Sequence, residues 1–125
     1  MTESPRRRKI LVVDDQPTLA RAIKRMLVDH DVTAVGSARE ALATIEAGTR
    51  YDVILSDLMM PELSGMDLHD AVARIDADQV AKMVFMTGGA FTGRARDFVE
   101  QSKTPTIEKP FDKAALLTLL DSYLR

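Results

Sequence analysis

Five short apolar runs, each followed by a stretch with apolar residues at helical spacing, limit what this chain can become. That alternation marks repeated strand and helix units around a parallel sheet, an α/β architecture. Lys9 to Val13 reads as a strand buried on both faces, and Thr18 to Val28 follows with Leu19, Ala22, Ile23, Met26 and Leu27 at helical spacing. Pro17 suits the first helical turn, where its missing donor costs nothing. A second strand is predicted over Val32 to Val35. Ser37 and Glu40 then make a capping-box pattern opening a helix through Ala41, Leu42 and Ile45, which Gly48 stops. The third strand runs from Val53 to Ser56, and a loop with Pro61 and Gly65 leads to a helix from Met66 to Ile75. The fourth strand is Met83 to Met86, and Gly88, Gly89 and Gly93 predict a mobile loop ahead of a weakly held helix over 94–101. Pro105 to Glu108 gives a short fifth strand. Asp112 caps a last helix carrying Leu116, Leu117, Leu119, Leu120, Tyr123 and Leu124.

A chain of 125 residues has room for one ordinary core, and 46% apolar with 29% charged residues excludes disordered and collagen-like readings. No cysteine is present, and the two histidines, His30 and His69, leave little for a histidine-ligated zinc site. Chemistry must therefore rest on carboxylates, hydroxyls and amines. No apolar run approaches the ~18 residues of a membrane span and the N-terminus lacks a secretion signal, so the expected location is cytoplasmic, without membrane insertion. The net charge of -2 is uneven: Arg6, Arg7, Arg8 and Lys9 face only Glu3 among the first ten residues, leaving an acidic body. An acidic body argues against direct nucleic-acid binding. Residues 1–8 are read as a solvated basic leader and 9–125 as the folded domain.

The functional signal lies in where polar residues fall. Asp14 and Asp15, Asp57, Thr87 and Lys109 directly follow the apolar residues of the first, third, fourth and fifth strands. All would lie on one edge of the sheet, where open parallel sheets bind ligands. Taken alone, Asp14 and Asp15 read equally well as a turn or cap pair before a helix. Taken together, the carboxylates repel: unit charges about 4 Å apart cost on the order of 4 kcal/mol per pair at an effective dielectric near 20. Lys109 offsets one charge, and a hard divalent cation with oxygen ligands, Mg2+ before others, offsets the rest.

With Val12-Val13-Asp14-Asp15, Asp57-Leu58-Met59-Met60-Pro61 with Gly65, Thr87-Gly88 and Lys109-Pro110-Phe111 in place, the sequence resembles the response-regulator receiver domains of two-component signalling from Lys9 to Arg125. The resemblance implies a flavodoxin-like doubly wound (βα)5 sandwich with a five-stranded parallel sheet in order 2-1-3-4-5. It implies that Asp57 accepts a phosphoryl group from a phosphohistidine on a histidine kinase or histidine phosphotransfer protein. Asp14, Asp15, Asp57 and the Met59 carbonyl would hold Mg2+, Thr87 and Lys109 would contact the phosphoryl group, and the Gly88 N–H would donate to it. A cis Lys109-Pro110 bond is also implied. Such a module is not a turnover enzyme in isolation, although it catalyses its own phosphorylation and dephosphorylation. The chain ends soon after the last helix, so output is expected to pass to a downstream protein target. The run from Thr87 to Thr92 resembles the receivers of hybrid histidine kinases more than stand-alone regulators.

Two departures carry consequences. Receivers commonly have an aromatic residue three positions before the lysine, where this chain has Thr106. A small β-branched side chain cannot fill and vacate that pocket, so switching is expected to rely on loop movement over 88–93 or on a different partner face. Met59 and Gly89 occupy the variable positions flanking the phosphoryl group, and neither offers a polar side chain to steer water, which predicts a long-lived phosphoryl-Asp57. Met26, Met60, Met66, Met83 and Met86 read as core filler, His69 as a solvated residue on a helix face and His30 as a turn residue. Three rivals share features. A phosphohydrolase of the haloacid dehalogenase type needs its nucleophile two residues before an acid at the first strand, where Asp14-Asp15-Gln16 stands. A flavodoxin-like cofactor carrier needs a hydroxyl-rich phosphate loop there, and a phosphorylation-independent interaction module would not need the full acceptor set.

Overall fold

The computed structural model describes residues 7–60, 62–88 and 93–123. Pro61, Gly89 with the rest of 89–92, Leu124 with Arg125, and the leader up to Arg6 lie outside the described residues. In chain order the elements are β1 (Lys9–Val13), α1 (Pro17–Met26), β2 (Asp31–Val35), α2 (Ala38–Glu46), β3 (Val53–Asp57), α3 (Gly65–Ile75), α4 (Ala77–Val80), β4 (Met83–Thr87), α5 (Gly93–Ser102), β5 (Thr106–Glu108) and α6 (Lys113–Asp121). The strands form one parallel sheet in the order β2-β1-β3-β4-β5. This is the expected doubly wound order.

Alternation along the strands separates two cores. Leu11, Val13, Ile54 and Phe85 face one side, where Ala41 and Ile45 of α2, Leu68 and Val72 of α3 and Ala95 of α5 pack. Ile10, Val12, Val53, Leu55, Val84, Met86 and Ile107 face the other, against Ile23 and Leu27 from the α1 side and Leu116 and Leu120 of α6. Ile10 through Val13 are fully buried, as a central strand covered on both faces requires. Each such side chain contributes about 1.5–3 kcal/mol through burial. Met66, Met83 and Met86 are buried, and Met26 and Met60 pack partly buried against the cores.

The helix ends follow local chemistry. Pro17 opens α1, and Asp112 Oδ1 accepts from Ala115 N at 2.8 Å to cap α6. Gly48, with φ of 104°, follows α2 in a left-handed conformation that favours glycine. Ser37 caps α2 by accepting from Glu40 N at 3.2 Å, but the Glu40 carboxylate accepts from Gly36 N at 3.0 Å, so the box closes one residue early. The complete box is at Ser64 and Asp67, which exchange hydrogen bonds at the start of α3. The short α4 interrupts the expected five-unit pattern; it exists because Asp76 Oδ1 accepts from Asp78 N and Gln79 N. Gln79 is buried and clamps Tyr51, accepting from its N at 2.8 Å and donating to its carbonyl at 3.1 Å.

Two histidines behave differently. His30 lies in the bend before β2, where its Nδ1 accepts from Arg8 N at 3.2 Å and its carbonyl from Arg7. The last leader residues are therefore tied to the body. His69 is half-buried, not a freely solvated residue. Its ring packs 5.1 Å from Phe98 and 5.9 Å from Phe85, and its Nε2 lies 3.3 Å from Thr104 Oγ1. Sequence spacing places it on α3 but does not show that α5 folds back across that face. Thr106 opens β5 with an exposed side chain beside a surface groove shared with Ala114, Ala115 and Thr118.

Candidate functional site

The strand order reverses between β1 and β3, because β2 lies beyond one and β4 beyond the other. A crevice opens at such a reversal outside the carboxyl ends of the strands. Val13 is in register with Ser56, so Asp14 and Asp57 leave the two strands side by side. Asp57 is the last residue of β3 and Thr87 the last of β4, while Lys109 directly follows β5. The pairing continues beyond the strands through Asp14 N to Val35 O at 3.1 Å, Leu58 N to Met86 O at 3.0 Å and Lys109 N to Thr87 O at 2.7 Å. These bonds fix the backbone on which each side chain stands.

The Lys109 ammonium bridges two carboxylates. Its Nζ lies 3.0 Å from Asp14 Oδ2 and 3.3 Å from Asp57 Oδ2. Asp14 is 2% exposed, Asp57 9% and Thr87 5%, so the bridge is largely withdrawn from water. Asp14 also serves the backbone, its Oδ1 accepting from Gln16 N at 2.8 Å. The turn reading and the site reading of the acidic pair therefore describe the same side chain. Asp15 is exposed, yet one oxygen each of Asp14, Asp15 and Asp57 lie within 4.8 Å of one another. One ammonium among three carboxylates leaves negative charge uncompensated, and the donors are all hard oxygens. That set fits a hard divalent cation.

Burial raises the Asp57 carboxyl above its ordinary range, Lys109 opposes that shift and Asp14 adds to it. For Lys109 burial alone would depress the ammonium, but the hydrogen bond to Asp14 and the charges of Asp57 and Asp14 prevail and raise it. Lys109 thus stays charged, and Asp57 gains from any further positive charge nearby. A cavity of about 320 Å3 opens over Asp57, lined by Gln16, Met59, Thr87, Gly88 and Lys109. Met59 points an exposed side chain there, and its N–H lies 3.4 Å from Asp57 Oδ1. The Lys109-Pro110 bond is cis.

Two further residues shape the site. Gly65 opens α3 and donates its N–H to Leu58 O at 2.9 Å. A Cβ there would overlap the Asp57 carbonyl oxygen and lie 2.9 Å from Leu58 Cα. Gly65 is legible as a loop glycine and as part of the motif, but the contact that forces it is seen only in the fold. Gln16 is legible only as the residue after the acidic pair.

A family model described as the response regulator receiver domain matches residues 10–121. The two-component response regulator ARR11 of Arabidopsis thaliana is 32% identical over 125 residues, covering 98% of this chain and 23% of its own length. The chain thus spans about a quarter of that plant regulator. The chemotaxis protein CheY of Listeria monocytogenes is 28% identical over 116 residues, covering 90% of this chain and 95% of its own. The receiver domain of sensor histidine kinase PA1611 from Pseudomonas aeruginosa, solved with a magnesium ion coordinated in its active site cleft, superposes with a TM-score of 0.81 at 27% identity. That match covers 95% of this chain and 98% of the other.

Proposed function

The chain belongs to the response regulator receiver domain family, and on that premise we propose that it accepts a phosphoryl group on Asp57 from a phosphohistidine of a histidine kinase or histidine phosphotransfer protein. The observation that carries the reading is the Lys109 ammonium held 3.3 Å from Asp57 and 3.0 Å from Asp14 beneath an open cavity. A side-chain oxygen of Asp57 attacks phosphorus in line, forming an O–P bond as the P–N bond breaks. The electron pair leaves with the imidazole nitrogen, which then takes a proton. A carboxylate needs no general base for this step.

Lys109 supplies a fixed charge toward the phosphoryl oxygens, and the Thr87 hydroxyl and Gly88 N–H donate hydrogen bonds. Asp14, Asp15, Asp57 and the Met59 carbonyl are the proposed Mg2+ ligands. When bound, Mg2+ neutralises carboxylate and phosphoryl charge together. The product carries about two added negative charges, which draw Thr87 inward and bias the segment after Gly88, passing the signal to a downstream protein.

The module works in the cytoplasm as residues 9–125 behind a basic leader, without direct nucleic-acid contact or membrane insertion, and it is not a turnover enzyme in isolation although it catalyses its own phosphorylation and dephosphorylation. Among the described residues no helix is long and apolar enough to cross a membrane. The phosphohydrolase alternative is disfavoured because Asp14-Asp15-Gln16 places no acid two residues after the first-strand aspartate. Incubation with acetyl phosphate or phosphoramidate and Mg2+, followed by mapping of the acid-labile adduct, tests the proposal. Label on Asp57 that disappears in Asp57→Asn is expected; equal labelling of both proteins would end it.

A further inference from the structure

We infer that Gln16 orients the water that removes the phosphoryl group from Asp57, a role that rests on the acceptor reading above. Water attacking phosphorus in line must approach from the side opposite the Asp57 oxygen, through the cavity that Asp57 lines. Of the residues around that cavity, Leu58 and Met59 are apolar and Gly88 has no side chain. Thr87 and Lys109 are assigned to the phosphoryl oxygens. Among the described residues of the lining, Gln16 is the remaining polar side chain apart from Asp57 itself.

Its local structure leaves it available. Gln16 is the N-cap residue of α1, with φ of -102° and ψ of 102°, yet its side chain makes no capping hydrogen bond. The backbone is pinned instead, because its N–H donates to Asp14 Oδ1 at 2.8 Å. The carboxamide therefore starts from a fixed anchor beside the carboxylate cluster and is not consumed by the helix. A neutral amide suits this role, since its oxygen accepts from water and turns the water lone pair toward phosphorus while its NH2 donates to the phosphoryl group. It also adds no charge to repel the incoming anion. In the hydrolysis the water oxygen forms the new O–P bond, the Asp57 O–P bond breaks, and the carboxylate and inorganic phosphate are restored with the water proton passing to phosphate or solvent.

The test follows loss of label from phosphoryl-Asp57 after removal of acetyl phosphate, with Mg2+ present, in the parent, Gln16→Leu and the double variant Gln16→Leu with Met59→Asn. The expected result is loss slowed about tenfold in Gln16→Leu, equivalent to about 1.4 kcal/mol. Uptake from acetyl phosphate should change by a smaller factor, because no hydrolytic water takes part in it. Met59→Asn, which places another carboxamide in the lining of the same cavity, should restore the rate. Loss that is unchanged, or slowed by the same factor as uptake, overturns the inference, since a distorted site would slow both. A parent that never carries label on Asp57 overturns the acceptor reading and this one with it.

Discussion

Gly65 presses against the backbone of Asp57, so close that a methyl group at Gly65 would overlap the Asp57 carbonyl oxygen. The same carbonyl accepts from Ser56 Oγ at 3.1 Å, and Leu58 O accepts from Gly65 N. The start of α3 is thereby docked on the end of β3. Gly65→Ala should destabilise the fold by about 1–3 kcal/mol, as overpacking against backbone does, and lower labelling of Asp57. Gly36 faces open space, so Gly36→Ala should stay within about 0.5 kcal/mol. Urea unfolding with labelling checks both; equal effects at the two positions would refute the contact argument.

Three carboxylates served by one ammonium should make the fold respond to divalent cation. A ligand that binds only the folded state stabilises it by about 1.4 kcal/mol at ten times its dissociation constant. Thermal unfolding of the parent should therefore shift upward with added MgCl2. The shift should shrink sharply in Asp14→Asn and Asp57→Asn, and NaCl of equal ionic strength should not reproduce it. Without Mg2+, Asp57→Asn should be the more stable protein, because burial and Asp14 disfavour the charged carboxyl. An identical Mg2+ response in all three proteins would count against the cluster as the cation site.

Met59 leaves an apolar, exposed side chain at the cavity over Asp57. Met59→Asn should speed loss of the phosphoryl group by supplying a second water-orienting amide. Label decay at constant Mg2+ measures it, and an unchanged lifetime would refute it. The partner position, Gly89, lies outside the described residues.

His69 should make stability depend on pH. Burial lowers its pKa from 6.5, although Asp70 pulls the other way, and Lys103 lines the same small cavity. Its Nδ1 is buried without a partner, so a proton there has nothing to bond. The unfolded chain binds that proton more readily, so this contribution is complete above pH 6.5 and is lost as pH falls from 6.5 through the folded value. The slope reaches at most about 1.4 kcal/mol per pH unit inside that window. Denaturant unfolding at pH 7.5 and 5.5 should show a smaller difference for His69→Gln than for the parent. Equal differences would remove His69 from the account.

The residues that converge are legible because each ends or soon follows a strand, and strand ends in a parallel sheet share an edge. Asp14 beside Asp57 needs only the strand order. Contacts made between elements are less legible. Ser64 and Asp67 carry capping chemistry, but an Asp in place of Glu or Gln hides the box. The four-residue α4 is too short to show a period. The solvated reading of His69 fails because a helical spacing identifies a face and not its neighbour, here Phe98 of α5.

That helix, α5, buries only Ala95 completely and rests Phe98 and Val99 on the core. Most of its outward positions can therefore drift during evolution without harming the interior. Paralogues descended from one ancestor could acquire different surfaces along this segment while keeping the same carboxylate and lysine cluster, a route by which related modules in one cell can stay insulated from each other.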